Sequence, residues 1–464
     1  SRQWYFRNGG RDAELRAELL KLGRELHWHP PHMRARYDTW IEGLNSDWLV
    51  SRQRYFGVPF PVWYRVDADG ETDYLDPIIP SEDDLPVDPS SDVAPGFTAD
   101  QRGRPGGFVE DPDVMDTWAT SSLTPQIVTG WIDDPDLFER TFPMDLRPQG
   151  PEIIRTWLFD TVVRSHFEHG GLPWSDTTIN GWVLDPDRKK MSKSKGNVVT
   201  PMPLVDEYGP DALRYWACNG RPAVDTAVDF GIMKIGRKLA IKILNASKFT
   251  LNIASEQGSS TEDLALVTDP FDQSMLATLA DLVDDATTAF DSFDYARALE
   301  RTERFFWSFC DDYVELVKGR AYGGVGPAAA ASAAIALRGA LSTLLRMFAP
   351  IMPFVTEEVW SWFESGSVHR APWPDASPLR FVGADPLVFE VAADVLAAVR
   401  KAKSEAKRSL RTPAERVVVH DTAERLAALA PAEADLRDAG KIVALTTEVA
   451  PELRVEVELA PPDA

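Results

Sequence analysis

The chain has 464 residues, enough for two to four domains at about 100–200 residues each. Hydrophobic residues make up 44% of it and fifteen are Trp, so large cores can form, yet no apolar run of about 18 residues suggests a membrane span and the opening SRQWYFRNGGRD lacks a signal-peptide core. A net charge of −23 argues against nucleic-acid binding by the whole surface, and two distant cysteines, Cys218 and Cys310, exclude a disulfide framework or a thiolate zinc site.

Asp12–Leu26 reads as a helix. His27-Trp28-His29-Pro30-Pro31-His32 has the residues of a metal cluster, but two prolines break the spacing and no Cys is near, so it reads as a connecting segment. In Asn45–Trp63, Gly57 is expected to end a helix and a strand to start near Val62. Within it, Ser51-Arg52-Gln53-Arg54 sets two arginines close together, which suits phosphate or the end of an RNA strand. Asp67 to Asp113 carries fourteen Asp and Glu against two Arg and, being rich in Pro, Ser and Gly, predicts a loose excursion. Gly103-Arg104-Pro105-Gly106-Gly107 is not fed by a strand and is not read as a phosphate loop.

Asp113–Leu123 predicts a strand turning into a helix capped by Thr or Ser, and Phe142–Leu146 a parallel strand. Arg147–Glu152 then turns into a helix reaching His169, with Ile153, Ile154, Trp157, Leu158, Thr161 and Val162 on one side. Thr177–Leu184 is a candidate buried strand. Lys189–Val199, KKMSKSKGNVV, cannot bury an apolar face and reads as an exposed basic loop, after which Thr200-Pro201 opens a helix. Strand, basic loop and helix in that order suit a polyanion such as a nucleotide phosphate.

Gly209-Pro210 divides two short helices. Lys234–Phe249 is a basic helix with a stripe of Ile235, Leu239, Ile243 and Leu244 and with Arg237, Lys238 and Lys242 off it. Asp272–Ala321 and Ala328–Glu364 predict a helix bundle, broken before Pro350 and restarted by a helix capped at Thr356. Leu387–Leu410 is a helix with a basic end, and strands near 416–420, 441–445 and 453–459 complete a small α/β element.

Lys190-Met191-Ser192-Lys193-Ser194 matches, letter for letter, the second signature of the class I aminoacyl-tRNA synthetases, and Gly196-Asn197 extends the match. Asn45–Trp63 and Asp113–Leu123 resemble blocks of the valyl and isoleucyl subgroup, and Leu344–Trp360 resembles its anticodon-binding domain. The resemblance implies an α/β Rossmann-like nucleotide-binding domain, present in part, then an α-helical anticodon-binding bundle and a small α/β C-terminal domain. Its boundaries are a catalytic second half at 1–200, a connecting stem-contact region at 201–236, the helical domain at 237–380 and the small domain at 385–464. Ser1–Phe6 resembles the strand by which this subgroup re-enters the catalytic domain, so the half with the His-x-Gly-His-type signature and the editing insertion would precede residue 1.

By that resemblance the reaction is ATP-dependent attachment of valine to tRNA(Val) through valyl-adenylate, the alternatives being an isoleucyl-type ligase or a noncatalytic tRNA-binding fragment or subunit. Lys190, Met191, Ser192, Lys193 and Ser194 are the implied catalytic loop, with Lys193 also on ATP. Gly150 and Glu152 fall at the adenylate ribose and Asn180 and Gly181 at adenine, where many relatives carry Asp for Glu152 and His for Asn180. Trp118, Ile153 and Trp157 resemble the walls of the valine pocket, and Arg52, Arg54, Arg237, Lys238 and Lys242 the contacts to tRNA. ATP and its Mg²⁺ are expected as substrate and no protein-bound zinc is expected; the protein is expected to be a cytoplasmic monomer with no membrane partner.

Overall fold

A computed structural model describes residues 2–256 and 263–461, in two compact units: Ser1–Trp182 with Pro222–Asp225, and Val183–Arg221 with Thr226–Ala464. Ser1, at the head of the expected first strand, lies outside the described residues; Tyr5–Phe6 is a strand.

The first unit runs α1 (Ala13–Glu25), β1 (His27–His29), α2 (Arg34–Glu42), β2 (Trp63–Val66), β3 (Thr72–Ile78), β4 (Phe108–Glu110), α3 (Thr117–Ser121), β5 (Met144–Gln149), α4 (Phe159–His169) and β6 (Trp174–Ile179), with shorter bridges between. The expected helix is present as α1, with Asp12 as its cap, the carboxylate accepting from the Glu14 and Leu15 amides at 3.1 and 3.0 Å. The central sheet has the order β1-β6-β5 and is parallel throughout. A parallel sheet must be covered on its faces. Leu19, Leu22, Tyr37, Ile41, Phe159 and Val162 pack with Trp174 and Ile179 in one apolar cluster that does so.

Four local expectations fail here, three of them for nonlocal reasons. The histidine-rich segment is strand β1, not a connector: alternation buries Trp28, while His29 Nε2 and His27 Nδ1 lie 2.7 and 3.5 Å from Asp176 of β6. No helix ends at Gly57; the chain turns there, because a Cβ on Gly57 would meet Val114 Cγ2 at 2.7 Å. The strand expected near Val62 is present as β2. The acidic excursion is not loose, since β3-β2-β4 form an antiparallel sheet over a core of Trp63, Ile78, Ala94 and Phe108. Its Gly103–Gly107 stretch is a turn. The cap of α3 is Asp116, not Thr or Ser, its carboxylate accepting from the Trp118 amide at 3.1 Å.

The second unit runs β7 (Val183–Leu184), α5 (Pro201–Tyr208), α6 (Pro210–Cys218), β8 (Thr226–Ala227), α7 (Phe230–Glu256), α8 (Pro270–Asp291), α9 (Tyr295–Ser308), α10 (Val314–Ala321), α11 (Pro327–Phe348), α12 (Pro353–Trp360), α13 (Pro386–Glu405), β9 (Ala414–Asp421), α14 (Ala423–Leu429), α15 (Glu433–Gly440), β10 (Ile442–Val449) and β11 (Arg454–Leu459). The expected strand 177–184 is thus divided: β6 stops at Ile179, and Val183–Leu184 pairs in parallel with β8. Gly209 separates α5 from α6 as the sequence indicates.

Among the described residues one helix, α11, is long and apolar enough to cross a membrane by length and composition; 78% of its apolar window is buried among its neighbours. Thr356 lies inside α12, its hydroxyl donating to the Met352 carbonyl at 2.8 Å. The cap is remote instead: the Phe354 and Val355 amides donate to the Asp211 carboxylate of α6 at 3.0 and 2.8 Å. On α7, Ile235 is 48% exposed and leaves the buried stripe to Met233, Leu239 and Ile243. Helix α13 ends at Glu405, short of Leu410, and its Val391, Val395 and Val399 share one apolar cluster with Val417 of β9, Leu436 of α15 and the bundle.

Candidate active site

In open parallel sheets, ligands bind beyond the C-terminal ends of the strands. The segments leaving β1, β5 and β6 there line a cavity of about 640 Å³ with Arg36, Trp40, Glu152, Arg155 and Trp182. A Cβ on Gly150 would come within 2.8 Å of Glu152 Oε2, so glycine lets that carboxylate lie against the backbone. The Asn180 amide donates to the Gln149 carbonyl at 2.9 Å, carrying the β6–β5 ladder one step further. At Gly181 a Cβ would lie 2.0 Å from the Val224 carbonyl oxygen; only glycine admits the returning 222–225 segment, which Asp225 ties to the Trp182 amide at 2.9 Å.

From Gly150 the chain enters a π-helical turn, Ile154–Leu158, before α4, which Gly170 closes at φ +74°. Ile154, Leu158, Thr161 and Val162 face the core, whereas Ile153 and Trp157 stay partly exposed. The Trp157 indole N–H donates to the Ser121 carbonyl at 2.8 Å, which brings α3, and Trp118 with it, onto the π turn. Asp116 anchors the other end of α3: it pairs with Arg52 and accepts from Trp48 Nε1 at 3.2 Å.

Two buried titratable side chains here carry no motif. Arg147 of β5 is 7% exposed and lies with its guanidinium carbon 3.5 Å from the Trp157 ring centroid. Burial pushes its pKa down to about 10, so it remains a cation at neutral pH. Asp160, three residues beyond Trp157 on α4, is 5% exposed; burial first, and the charge of Asp116 second, push its carboxyl up to about 8. It is therefore a neutral acid at pH 7.

In the second unit the basic loop is a compact knot. Asp185 takes the Lys189 amide at 2.7 Å and the Asn197 side-chain amide at 2.7 Å, and these bonds hold its carboxyl below the ordinary range. Asn197 Oδ1 in turn accepts from the Ser192 amide at 3.0 Å, and the Val199 amide reaches Met191 Sδ at 3.3 Å. Lys193–Lys195 forms a single 3₁₀ turn closed by Gly196 at φ +67°. Ser192 and Ser194 hydroxyls are 3.3 Å apart, and the side chains of Lys190, Lys193 and Lys195 are exposed. Motif residues Met191 and Asn197 thus anchor the turn that displays the lysines.

The expected RNA contacts differ in availability. Arg52 is engaged by Asp116 and by the Leu49 and Ser51 carbonyls at 2.7 and 2.9 Å, which ties it to α3, and its side chain stays 32% exposed. Arg54 and Lys238 are exposed. Arg237 donates to the Glu207 carbonyl at 2.7 Å, and Lys242 pairs with Asp311 at 2.8 Å. Among the described residues, no group of three or more His, Cys, Asp or Glu is arranged to hold a metal ion.

Residues 1–229 match the family described as tRNA synthetases class I (I, L, M and V), and residues 272–419 the anticodon-binding domain of tRNA ligase. The chain is 62% identical over 465 residues to a valine–tRNA ligase of Thermobifida fusca (strain YX), covering 99% of this chain and 52% of that protein. To a valine–tRNA ligase of Cutibacterium acnes (strain DSM 16379 / KPA171202) it is 54% identical over 467 residues, covering 100% and 53%. The chain therefore spans about half the length of the curated relatives it matches. Among solved structures, the LeuRS of Agrobacterium radiobacter K84 in a ternary complex with tRNA and LeuAMS superposes with a TM-score of 0.57 at 18% identity, over 89% of this chain and 51% of that one. The Mycobacterium tuberculosis methionyl-tRNA synthetase bound by methionyl-adenylate gives 0.53 at 18%, over 77% and 62%.

Proposed function

This chain belongs to the valine–tRNA ligase family of class I tRNA synthetases, and from that premise we propose that it works in the ATP-dependent attachment of valine to tRNA(Val). The valine carboxylate attacks the α-phosphate of ATP, which enters as its magnesium complex, and pyrophosphate leaves. A hydroxyl of the terminal tRNA ribose then attacks the adenylate carbonyl and AMP leaves.

Negative charge grows on phosphate oxygens in the first step, and fixed cationic donors are suited to take it. Lys190 and Lys193 fill that role, on a turn that Asp185 and Asn197 hold in shape. Gly150 and Glu152 receive the ribose and Asn180–Gly181 the adenine, in keeping with their place beyond the ends of β5 and β6. Trp118, Ile153 and Trp157 enclose the valine side chain. Arg54, Lys238 and the other cations of α7 face tRNA, and we retain the four-part division at 200, 236 and 380 as the functional one. The protein acts as a cytoplasmic monomer.

The observation that carries this reading is the exposed lysine turn built by the motif's own Met191 and Asn197. Its test is Lys193→Ala in the ligase that contains this chain. ATP–pyrophosphate exchange should fall by about 10²–10³, the usual loss for one preorganised donor, with the fold intact. An unchanged exchange rate refutes the assignment. The isoleucyl alternative lacks support among these relatives, which are valine–tRNA ligases.

A further inference from the structure

We infer that Arg147 is a positioning residue for the amino-acid pocket: its guanidinium, lying against the Trp157 indole, fixes the plane of that wall and through it the place of Trp118. The inference rests on the reading that Trp118, Ile153 and Trp157 enclose valine.

A buried guanidinium ordinarily recovers its lost hydration from a carboxylate. Arg147 has no ion pair among the described residues, and its Nε and Nη2 are buried without a hydrogen-bond partner. What faces it is aromatic: Trp157 with its ring centroid at 3.5 Å and Trp174 at 5.3 Å. A planar cation over an indole face is attracted by the ring quadrupole, and the attraction holds only while the two remain aligned. The orphaned edge donors mark Arg147 as kept for its flat face rather than for its hydrogen bonds.

The indole consequently has two restraints. Its edge is fixed by the N–H bond to Ser121 at 2.8 Å, and its face by Arg147. The edge bond alone would let the ring pivot; the stacked cation removes that freedom. Arg147 is itself rigid at the backbone, paired with Thr177 in the ladder, whose hydroxyl donates to the Arg147 carbonyl at 2.8 Å. Ser121 closes the five-residue helix α3 that carries Trp118. Order therefore passes from the sheet through one guanidinium to one indole, and from that indole to the other.

Two variants test this. Arg147→Lys keeps the charge and loses the plane; Arg147→Met keeps the length and loses the charge. In valine-dependent ATP–pyrophosphate exchange by the ligase containing this chain, Arg147→Met should raise KM for valine at least tenfold. It should change kcat less than threefold and narrow the preference for valine over isoleucine at least fivefold, with Arg147→Lys in between. In the 464-residue chain labelled with 5-fluorotryptophan, the ¹⁹F resonance that Trp157→Phe removes should shift in both variants. No exchange by the unmodified ligase refutes the valine reading, whatever the resonance does. Normal exchange in which Arg147→Met leaves KM and preference within twofold, with or without a loss of thermal stability, overturns the positioning role alone.

Discussion

Replacing Arg320 by Met should unlock the second unit. Arg320 of α10 is 4% exposed and binds Asp272 of α8 with two donors at 2.7 and 2.8 Å, and Asp435 of α15 at 2.9 and 3.0 Å. Asp272, fully buried, also accepts from the Tyr313 hydroxyl at 2.6 Å and the Ser332 hydroxyl at 2.7 Å. With the cation gone, two buried carboxylates face each other unpaired, and such a loss costs about 3–5 kcal/mol. At roughly 2–4 °C per kcal/mol for a folded segment of this size, Tm should drop by roughly 6–20 °C. Thermal and urea unfolding followed by circular dichroism measure it directly. Adding Asp272→Asn to Arg320→Met removes one stranded charge and should recover at least half of the loss. A drop below about 1 kcal/mol, the range of exposed pairs, or no recovery in the double variant, refutes the reasoning. The network also carries a pH signature. Burial pushes the Asp435 carboxyl up to about 6 against the pull of Arg320. The folded state then holds a proton that the unfolded chain, near 3.9, has released. The associated stability is present below about pH 4 and is lost as pH rises through 6; Asp435→Asn should flatten that decline.

Asp160 obeys the same sign: its folded value of about 8 lies above the unfolded one, so its share of stability is lost as pH rises from about 4 through 8. Asp160→Asn should therefore stabilise the first unit increasingly from about pH 4 to about pH 8 and by a constant amount above that, and melting curves that stay parallel to wild type across that range would contradict it. Asn197→Ala removes the link from Ser192 to Asp185 but lies in a partly exposed loop, so global stability should change by less than about 1 kcal/mol. Amide exchange across 189–199 should speed up by at least tenfold, and an unaltered pattern would mean that the knot is held elsewhere. Gly181→Ala places a methyl 2.0 Å from the Val224 carbonyl oxygen and should cost about 1–3 kcal/mol by overpacking. Unfolding midpoints equal to wild type would show that the 222–225 crossing yields freely.

Much of this molecule is legible wherever a residue's partner lies within a few positions of it. The helix read over Asp12–Leu26 is α1, Gly209-Pro210 marks the break between α5 and α6, and the valine run at 417–419 is a strand. Errors come where the partner is distant. Trp63 packs with Phe108 across an interval that composition alone paints as disordered, and α12 takes its cap from Asp211 rather than from its own Thr356. The motif letters of 190–197 gave the exposed lysines and, in Asn197, an anchor whose structural part only coordinates reveal. Arg147 and Asp160 had no sequence signal, since a lone charge in an apolar run looks the same whether it faces water or lies beneath an indole.

The π turn at 154–158 has a consequence for how this wall can change. Such a turn holds one residue more than an α turn, and a helical residue spans about 100° of rotation. Excising a single amino acid there would regularise the backbone and tighten its hydrogen bonds, and because four α residues turn the chain about as far as the five residues of a π turn, the flanking faces would keep their register. Ile153 and Trp157, brought one position closer, would stay on one side of the helix axis. Substitution reshapes the lining side chain by side chain, whereas loss of the surplus residue would leave the lining in place and straighten the helix beneath it.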